Sequence, residues 1–469
     1  MQISIQHKKL VADKRETEKR VFVTLDYSTK EWENIREDGR RIMRVGTGER
    51  KDMTPRKLIS LIRRIIRTAK ANRSTEVVLT LSEFVFPKLK LSAEELGVLI
   101  AREAELANFD FNLFKTKPKE GWRDVEKLTI VDLKRSKNFA RGIERGAIIG
   151  MGVNEARVLS NTPGGDMTPE KLAEAAETLS HGTSIKVTVF GKSELEREKM
   201  GAILGVGRGA KAEPRFIIMD YRGGRKSEKP IVLVGKGITF DTGGLNVKPG
   251  RAMTDMHMDM SGGAAVMLAV VLAEKLGIKR NVIALIPAAE NAVSGDSIRP
   301  GDIVRSHSGK TIEVLNTDAE GRLILADALS YAKKYKPRLV VDVATLTGSS
   351  IAALGQKASA ILTKDENLQK LFVRLGEESG DYVWPMPLWE EYEEDVKGVF
   401  ADVANIPTNG AQGGDVIDGA VFLLQFAEGY PWVHIDIAPR MTSIPSDYLG
   451  KGATGVPVRL LVKLLQTYK

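Results

Sequence analysis

Apolar and polar positions alternate along this chain in two different ways. In the first 150 residues, 21–25 and 76–81 are short apolar, β-branched runs of strand character. Between them, Thr54-Pro55 opens a helix whose apolar face is Leu58, Leu61, Ile62, Ile65 and Ile66. Its other face carries Arg56, Lys57, Arg63, Arg64 and Arg67. A second helix is expected from roughly residue 93 to 108, so residues 1–150 read as a small N-terminal α/β domain. A helical pattern at 139–159 finds no partner face within that domain and reads as a connecting helix.

Beyond it, Thr168-Pro169-Glu170 starts a new helix, and strands then alternate with helices. Strands are expected at 185–190, 216–221, 231–234, 282–287, 339–343, 358–362 and 432–435. Several are continuous apolar runs, as strands covered on both faces should be. Residues 151–469 therefore read as a larger C-terminal α/β domain with a mixed, largely parallel central sheet flanked by helices. A long polar loop at 409–414 is expected to form a lid or rim.

Composition narrows the chemistry. The chain of 469 residues has no cysteine, which excludes disulfides, thiolate metal sites and cysteine nucleophiles. Only five histidines are present (His7, His181, His257, His307, His434), none paired at H-x-x-x-H spacing. A metal site would rest on oxygen ligands, with any nitrogen an unusual one. No apolar run is expected to reach the length needed to span a bilayer, and the N-terminus lacks a signal-peptide layout, so a cytoplasmic location is expected. The net charge of +9 is uneven: residues 1–150 hold 33 Lys and Arg against 22 Asp and Glu. That surplus suits a polyanion surface or a plain solvated face.

The candidate chemistry lies in two stretches. In Asn316-Thr317-Asp318-Ala319-Glu320-Gly321-Arg322-Leu323, side chains two apart can point the same way in an extended or turning backbone. Asp318, Glu320 and Arg322 can then share a cavity, where two convergent acids call for positive charge between them. A metal would supply it; a polar turn capping a helix is the plainer alternative. The second stretch follows a strand end and runs from Gly235-Lys236-Gly237 through Asp241-Thr242-Gly243-Gly244 and Lys248 to Asp259. Open α/β sheets bind ligands beyond the carboxyl ends of their strands. The charges of Asp241, Asp259, Asp318 and Glu320 would balance two divalent cations, with Lys236 a counter-charge or a nitrogen ligand. Asp241-Thr242-Gly243 is also the tripeptide of aspartic proteases. Those need two such carboxylates, and this chain has one copy in an α/β rather than an all-β context.

Both stretches resemble the leucyl aminopeptidases, the cytosol aminopeptidase family, and the block 316–323 looks like that family's signature. Similarity continues through Asn161-Thr162-Pro163, residues 341–348, Ala401-Asp402-Val403-Ala404-Asn405 and residues 451–455. The resemblance implies a metallo-exopeptidase that releases N-terminal amino acids, leucine and other apolar residues preferred, by attack of a metal-bridging water. It implies two divalent ions per subunit, Zn or Mn, with Mg or Co as further options. One would be held by Lys236, Asp241, Asp259 and Glu320, the other by Asp241, Asp318 and Glu320. Lys248 would polarise the scissile carbonyl, and Arg322 would hold a bicarbonate acting as general base.

Met256, Thr345, Leu346, Gly348, Ala438 and Met441 would line the substrate pocket, though the same Met and Thr would also suit plain core. Pro439 and Arg440, and His257, stand where the family usually carries other residues. A homohexamer acting on peptides is implied, with the basic first domain in an oligomer or regulatory role. Some bacterial members bind DNA, so the surplus of 11 positive charges in residues 1–150 makes DNA an additional candidate partner.

Overall fold

The computed structural model describes residues 1–8, 19–410 and 413–468. The chain forms two compact units, one of Met1–Asn154 with Ser443–Lys451, the other of Glu155–Thr442 with Gly452–Lys469.

The first unit is built on a six-stranded sheet in the order Gln2–Gln6, Lys127–Val131, Glu76–Thr80, Arg20–Asp26, Arg40–Gly46, Trp32–Glu37. All neighbours are parallel except the last pair. Two helices bury their apolar faces with it in one core. Pro55–Ala71 starts where Thr54 accepts from the Lys57 N–H, and Ala93–Asn108 starts at a reciprocal Ser92/Glu95 cap. The basic face expected on the first helix is thinner than its sequence suggests. Arg63 is buried with its Nε 2.6 Å from Glu103, and Arg67 pairs with Asp110 at 2.8 Å. Arg63 satisfies a buried carboxylate and Arg67 a half-buried one.

Ser443–Lys451 belongs to this first unit although it lies far along the chain. Arg63 Nη1 donates to the Asp447 carbonyl at 3.2 Å. The Arg64 guanidinium sits 3.9 Å from the Trp32 ring centre and 6.0 Å from that of Tyr448.

In the second unit a nine-stranded sheet runs Val383–Pro385, Ser359–Leu362, Trp432–Asp436, Leu339–Ala344, Ile231–Gly235, Asn281–Asn291, Arg215–Arg222, Lys186–Phe190. The ninth strand, Gly237–Asp241, pairs parallel with the far half of Asn281–Asn291. The centre of the sheet is parallel, and Trp432–Asp436, Leu339–Ala344 and Ile231–Gly235 are buried along their whole length. Every strand expected in this half is present. Gly237–Asp241 is a further strand, absent from the expected set because its glycines weaken the strand signal. A three-stranded sheet of Ile303–Arg305, Thr311–Glu313 and Val403–Ala404 stands apart.

The connecting helix is Lys137–Asn161. At its end, Asn161 Oδ1 accepts from the Ala453 N–H at 2.9 Å, joining two of the sequence motifs. Contrary to the expectation from composition, one stretch, Gly250–Lys275, has the length and hydropathy of a membrane span. Its apolar window is 89% buried, and its helical core Ser261–Lys275 is covered on every side as a central helix of the unit. In the polar loop at 409–414, Ala411 and Gln412 lie outside the described residues.

Candidate metal centre

The acids converge because three chain reversals meet at the carboxyl edge of the sheet. Lys236 follows strand Ile231–Gly235, and Asp241 ends the strand after it. Asp259 closes the short turn Met256–Met258 just before helix Ser261–Lys275, and Glu320 opens helix Glu320–Ala332. Asp241, Asp259 and Glu320 are all buried, and one ligand oxygen from each lies within 4.8 Å of the others. Asp318 stands beside them, its side chain 32% exposed.

Two lysines thread this cluster. Lys236 Nζ lies 2.7 Å from Asp259 Oδ2 and 2.9 Å from Glu320 Oε1, and donates to the Thr345 carbonyl at 3.0 Å. Lys248 Nζ lies 2.8 Å from Asp241 Oδ2 and 2.6 Å from Asp318 Oδ1. Burial pulls both ammoniums down, but the fields of the surrounding acids outweigh it and hold both above the usual lysine range. The acids respond in the opposite sense. Burial, reinforced by Asp241, pushes Glu320 up to about 8, and burial pushes Asp259 up to about 6 against the pull of Lys236. Burial also raises Asp318, with Lys248 opposing it.

The donor set fits divalent cations. Four carboxylates against two ammoniums leave negative charge in a dry site, where it is costly. Three of the buried oxygens, Asp259 Oδ2, Asp318 Oδ1 and Glu320 Oε1, touch a lysine but have no partner of hydrogen-bond geometry. Oxygens in that condition are ready ligands for a hard or borderline ion.

Several residues without a sequence-level role hold the acids in place. Asn291 Nδ2 donates to Asp241 Oδ1 at 2.8 Å and to the Thr317 carbonyl at 3.0 Å. Asn405, fully buried after the small sheet, accepts from the Leu315 and Asn316 N–H groups and donates to the Asn316 carbonyl. The Ala401–Asn405 motif was the only signal pointing to it. Two glycines make room. A Cβ on Gly321 would stand 2.4 Å from Lys236 Cε, and Gly243 has φ +88° with Asp318 Oδ1 3.0 Å from its would-be Cβ.

Arg322 is buried in the first turn of its helix, and Nη1 donates to the Asn405 carbonyl at 2.6 Å. Its Nε is a buried donor with no protein partner among the described residues. Burial lowers its pKa, against the pull of Asp418, Asp415 and Glu320. Of the expected pocket residues, Thr345 joins the cluster directly, its hydroxyl 2.6 Å from Asp259 Oδ1. Leu346 and Ala438 are tied together through Asp436. Met256 and Met441 are half-buried, and Gly348 is exposed. Arg440 donates through Nη1 to the Gln356 carbonyl. His257 is half-buried and shifted down by burial against Asp255.

Residues 154–462 match the catalytic domain of the cytosol aminopeptidase family, and residues 31–118 match that family's N-terminal domain. The chain is 40% identical over 428 residues to a protein of Methylobacillus flagellatus and 42% identical over 437 residues to one of Roseiflexus castenholzii. Both carry the name "Probable cytosol aminopeptidase", and the alignments cover 91% and 92% of this chain and 85% and 87% of the relatives. Among solved structures it is similar to the bottromycin maturation enzyme BotP, at TM-score 0.85 and 28% identity over 95% of this chain and 98% of that one. A complex of BotP with Mn gives the same score and identity over 96% and 99%.

Proposed function

The chain belongs to the cytosol aminopeptidase family, whose members are metal-dependent peptidases, and on that footing we propose that it releases leucine and other apolar residues from peptide N-termini at a pair of divalent ions. The observation that carries this reading is the buried meeting of Asp241, Asp259 and Glu320 with Lys236 at its centre. Lys236, Asp241, Asp259 and Glu320 would hold one ion; Asp241, Asp318 and Glu320 would hold the other. When bound, the ions supply Lewis acidity that polarises the scissile carbonyl and eases ionisation of the attacking water.

The chain's own groups do the rest. Lys248, kept protonated by its acids, donates to the oxyanion as charge develops there. Arg322, with a buried Nε–H left over, would hold a bicarbonate, which would supply a general base beside the site. The substrate's free α-amine lies near Asp259, which restricts cleavage to the first residue. Leu346 presents its backbone carbonyl to the peptide, and Met256, Thr345, Gly348, Ala438 and Met441 enclose its first side chain.

Hydrolysis of leucine p-nitroanilide before and after chelation tests the proposal. Activity should vanish with the metal and return with Mn or Zn. Full activity after exhaustive metal removal would sink it. A cytoplasmic homohexamer is proposed with it, supported by relatives named for the cytosol and by exposed Trp384, Trp389, Val399 and Phe400, which offer apolar contact surface. Sedimentation of a monomer at micromolar concentration would overturn the assembly. A DNA-binding role has weaker support, since Arg63 and Arg67 are committed to Glu103 and Asp110.

A further inference from the structure

We propose that Asp436 is a positioning residue that sets the shape of the substrate pocket, and so the preference for the first residue. It lies at the carboxyl end of strand Trp432–Asp436, in register with Ala344 on the adjacent parallel strand Leu339–Ala344. Two segments leave the sheet side by side there, Thr345–Gly348 after one strand and Ile437–Met441 after the other. These segments contribute five of the six residues assigned to the pocket.

The Asp436 carboxylate is fully buried and joins them. Oδ1 accepts from the Leu346 N–H and the Ala438 N–H, both at 3.1 Å. Oδ2 accepts from the Thr347 N–H at 3.1 Å and the Thr347 hydroxyl at 2.6 Å. Four donors on two oxygens use the acceptor capacity of an ionised carboxylate and leave none over. Charge-assisted bonds to N–H groups are the strong kind, and four of them fix both segments against one point. The Ile437 N–H adds a bond to the Ala344 carbonyl at 2.8 Å, so the second segment cannot swing out as a rigid piece. The metal side is held by its own bonds. Thr345, next to the fixed Leu346, gives its carbonyl to Lys236 and its hydroxyl to Asp259.

None of these bonds joins Asp436 to the acids, although its charge is felt at Arg322. It acts by holding Leu346, Thr347 and Ala438 at fixed separation. The inference rests on the pocket assignment made above, and two readouts separate the two.

Asp436→Asn keeps the shape but leaves one oxygen for four donors and sets an amide NH2 against the remaining pair. With Mn bound, the ratio of kcat/KM for leucine against alanine p-nitroanilide should fall about tenfold, the scale at which pocket fit discriminates small apolar side chains. Mn titration by calorimetry should be unchanged. Thr347→Val, which removes one donor at nearly constant volume, should move the ratio the same way by a smaller factor. Equal loss for both substrates, or loss of Mn binding, overturns the proposal. If the wild-type protein cleaves neither substrate, the pocket assignment fails. The role of Asp436 is then read from amide hydrogen exchange. Leu346, Thr347 and Ala438 should lose protection in Asp436→Asn while strand Leu339–Ala344 keeps it, and unchanged protection overturns the positioning role.

Discussion

Replacing Gly321 by alanine separates the stability of the fold from the integrity of the site. The new Cβ would stand 2.4 Å from Lys236 Cε, 2.7 Å from Nζ and 2.9 Å from Cδ. Carbon atoms in contact need roughly 3.5–4.0 Å, so the end of the lysine has to retreat by about 1 Å. That end is the flexible part of a long side chain, so the backbone need not move. Overpacking costs about 1–3 kcal/mol, and Gly→Ala inside a helix returns about 1 kcal/mol. The net loss is then below about 2 kcal/mol, a fall in Tm of less than about 8 °C. The site is less forgiving. Lys236 Nζ sits between Asp259, Glu320 and the Thr345 carbonyl, and a displacement of about 1 Å near reacting groups can cost on the order of 100-fold in rate. Melting curves, Mn titration and hydrolysis of leucine p-nitroanilide would be measured on one preparation. The reasoning is refuted if kcat/KM stays within about threefold of wild type. It is equally refuted if the variant loses activity only in proportion to unfolding.

Asp318→Ala and Glu320→Ala each remove a ligand and should abolish most hydrolysis; calorimetry should show weakened Mn binding, and unchanged binding would exclude that residue as a ligand. Asp381 pairs with Arg459 at 2.9 Å and accepts from the Leu460 N–H, anchoring the C-terminal helix Val458–Thr467. Asp381→Ala leaves a buried guanidinium uncompensated and should cost about 3–5 kcal/mol by denaturant titration, with activity per folded molecule preserved. Burial pushes the Asp327 carboxyl from 3.8 up to about 7, although three backbone N–H groups oppose it. A raised folded value means this group's stabilisation is complete below about pH 4 and is lost as pH rises through about 7. Asp327→Asn in the metal-loaded protein should therefore flatten stability over that window, and an unchanged slope refutes the assignment.

The strands of the second unit were legible because central strands covered on both faces must be apolar throughout, as 231–235 and 339–344 are. The cluster of Lys236, Asp241, Asp259, Asp318 and Glu320 was legible as a candidate because these residues sit in two glycine-bracketed stretches. Harder to read were groups whose partners lie far away in sequence. Asn405 meets Asn316 across 89 positions, and Asp436 meets Leu346 across 90. Each looks like an ordinary polar residue after an apolar strand. Arg63 misleads for the same reason. Helical periodicity puts it on the polar face, and only the arrival of Glu103 from another helix turns that position into interior.

The docking of Ser443–Lys451 into the first unit bears on the order in which the protein can be made. Its contacts with Arg63 and Arg64 engage two residues of the first long helix. Yet that helix leaves the ribosome long before residue 443 is translated. At ordinary elongation rates the delay between residues 154 and 443 is about 15–60 s. Throughout that interval Arg64 and Trp32 wait without Tyr448 beside them. The N-terminal part of the chain is finished only by one of the last segments to be synthesised. The first unit therefore reaches its full set of contacts only after residues 155–442 of the second have been translated.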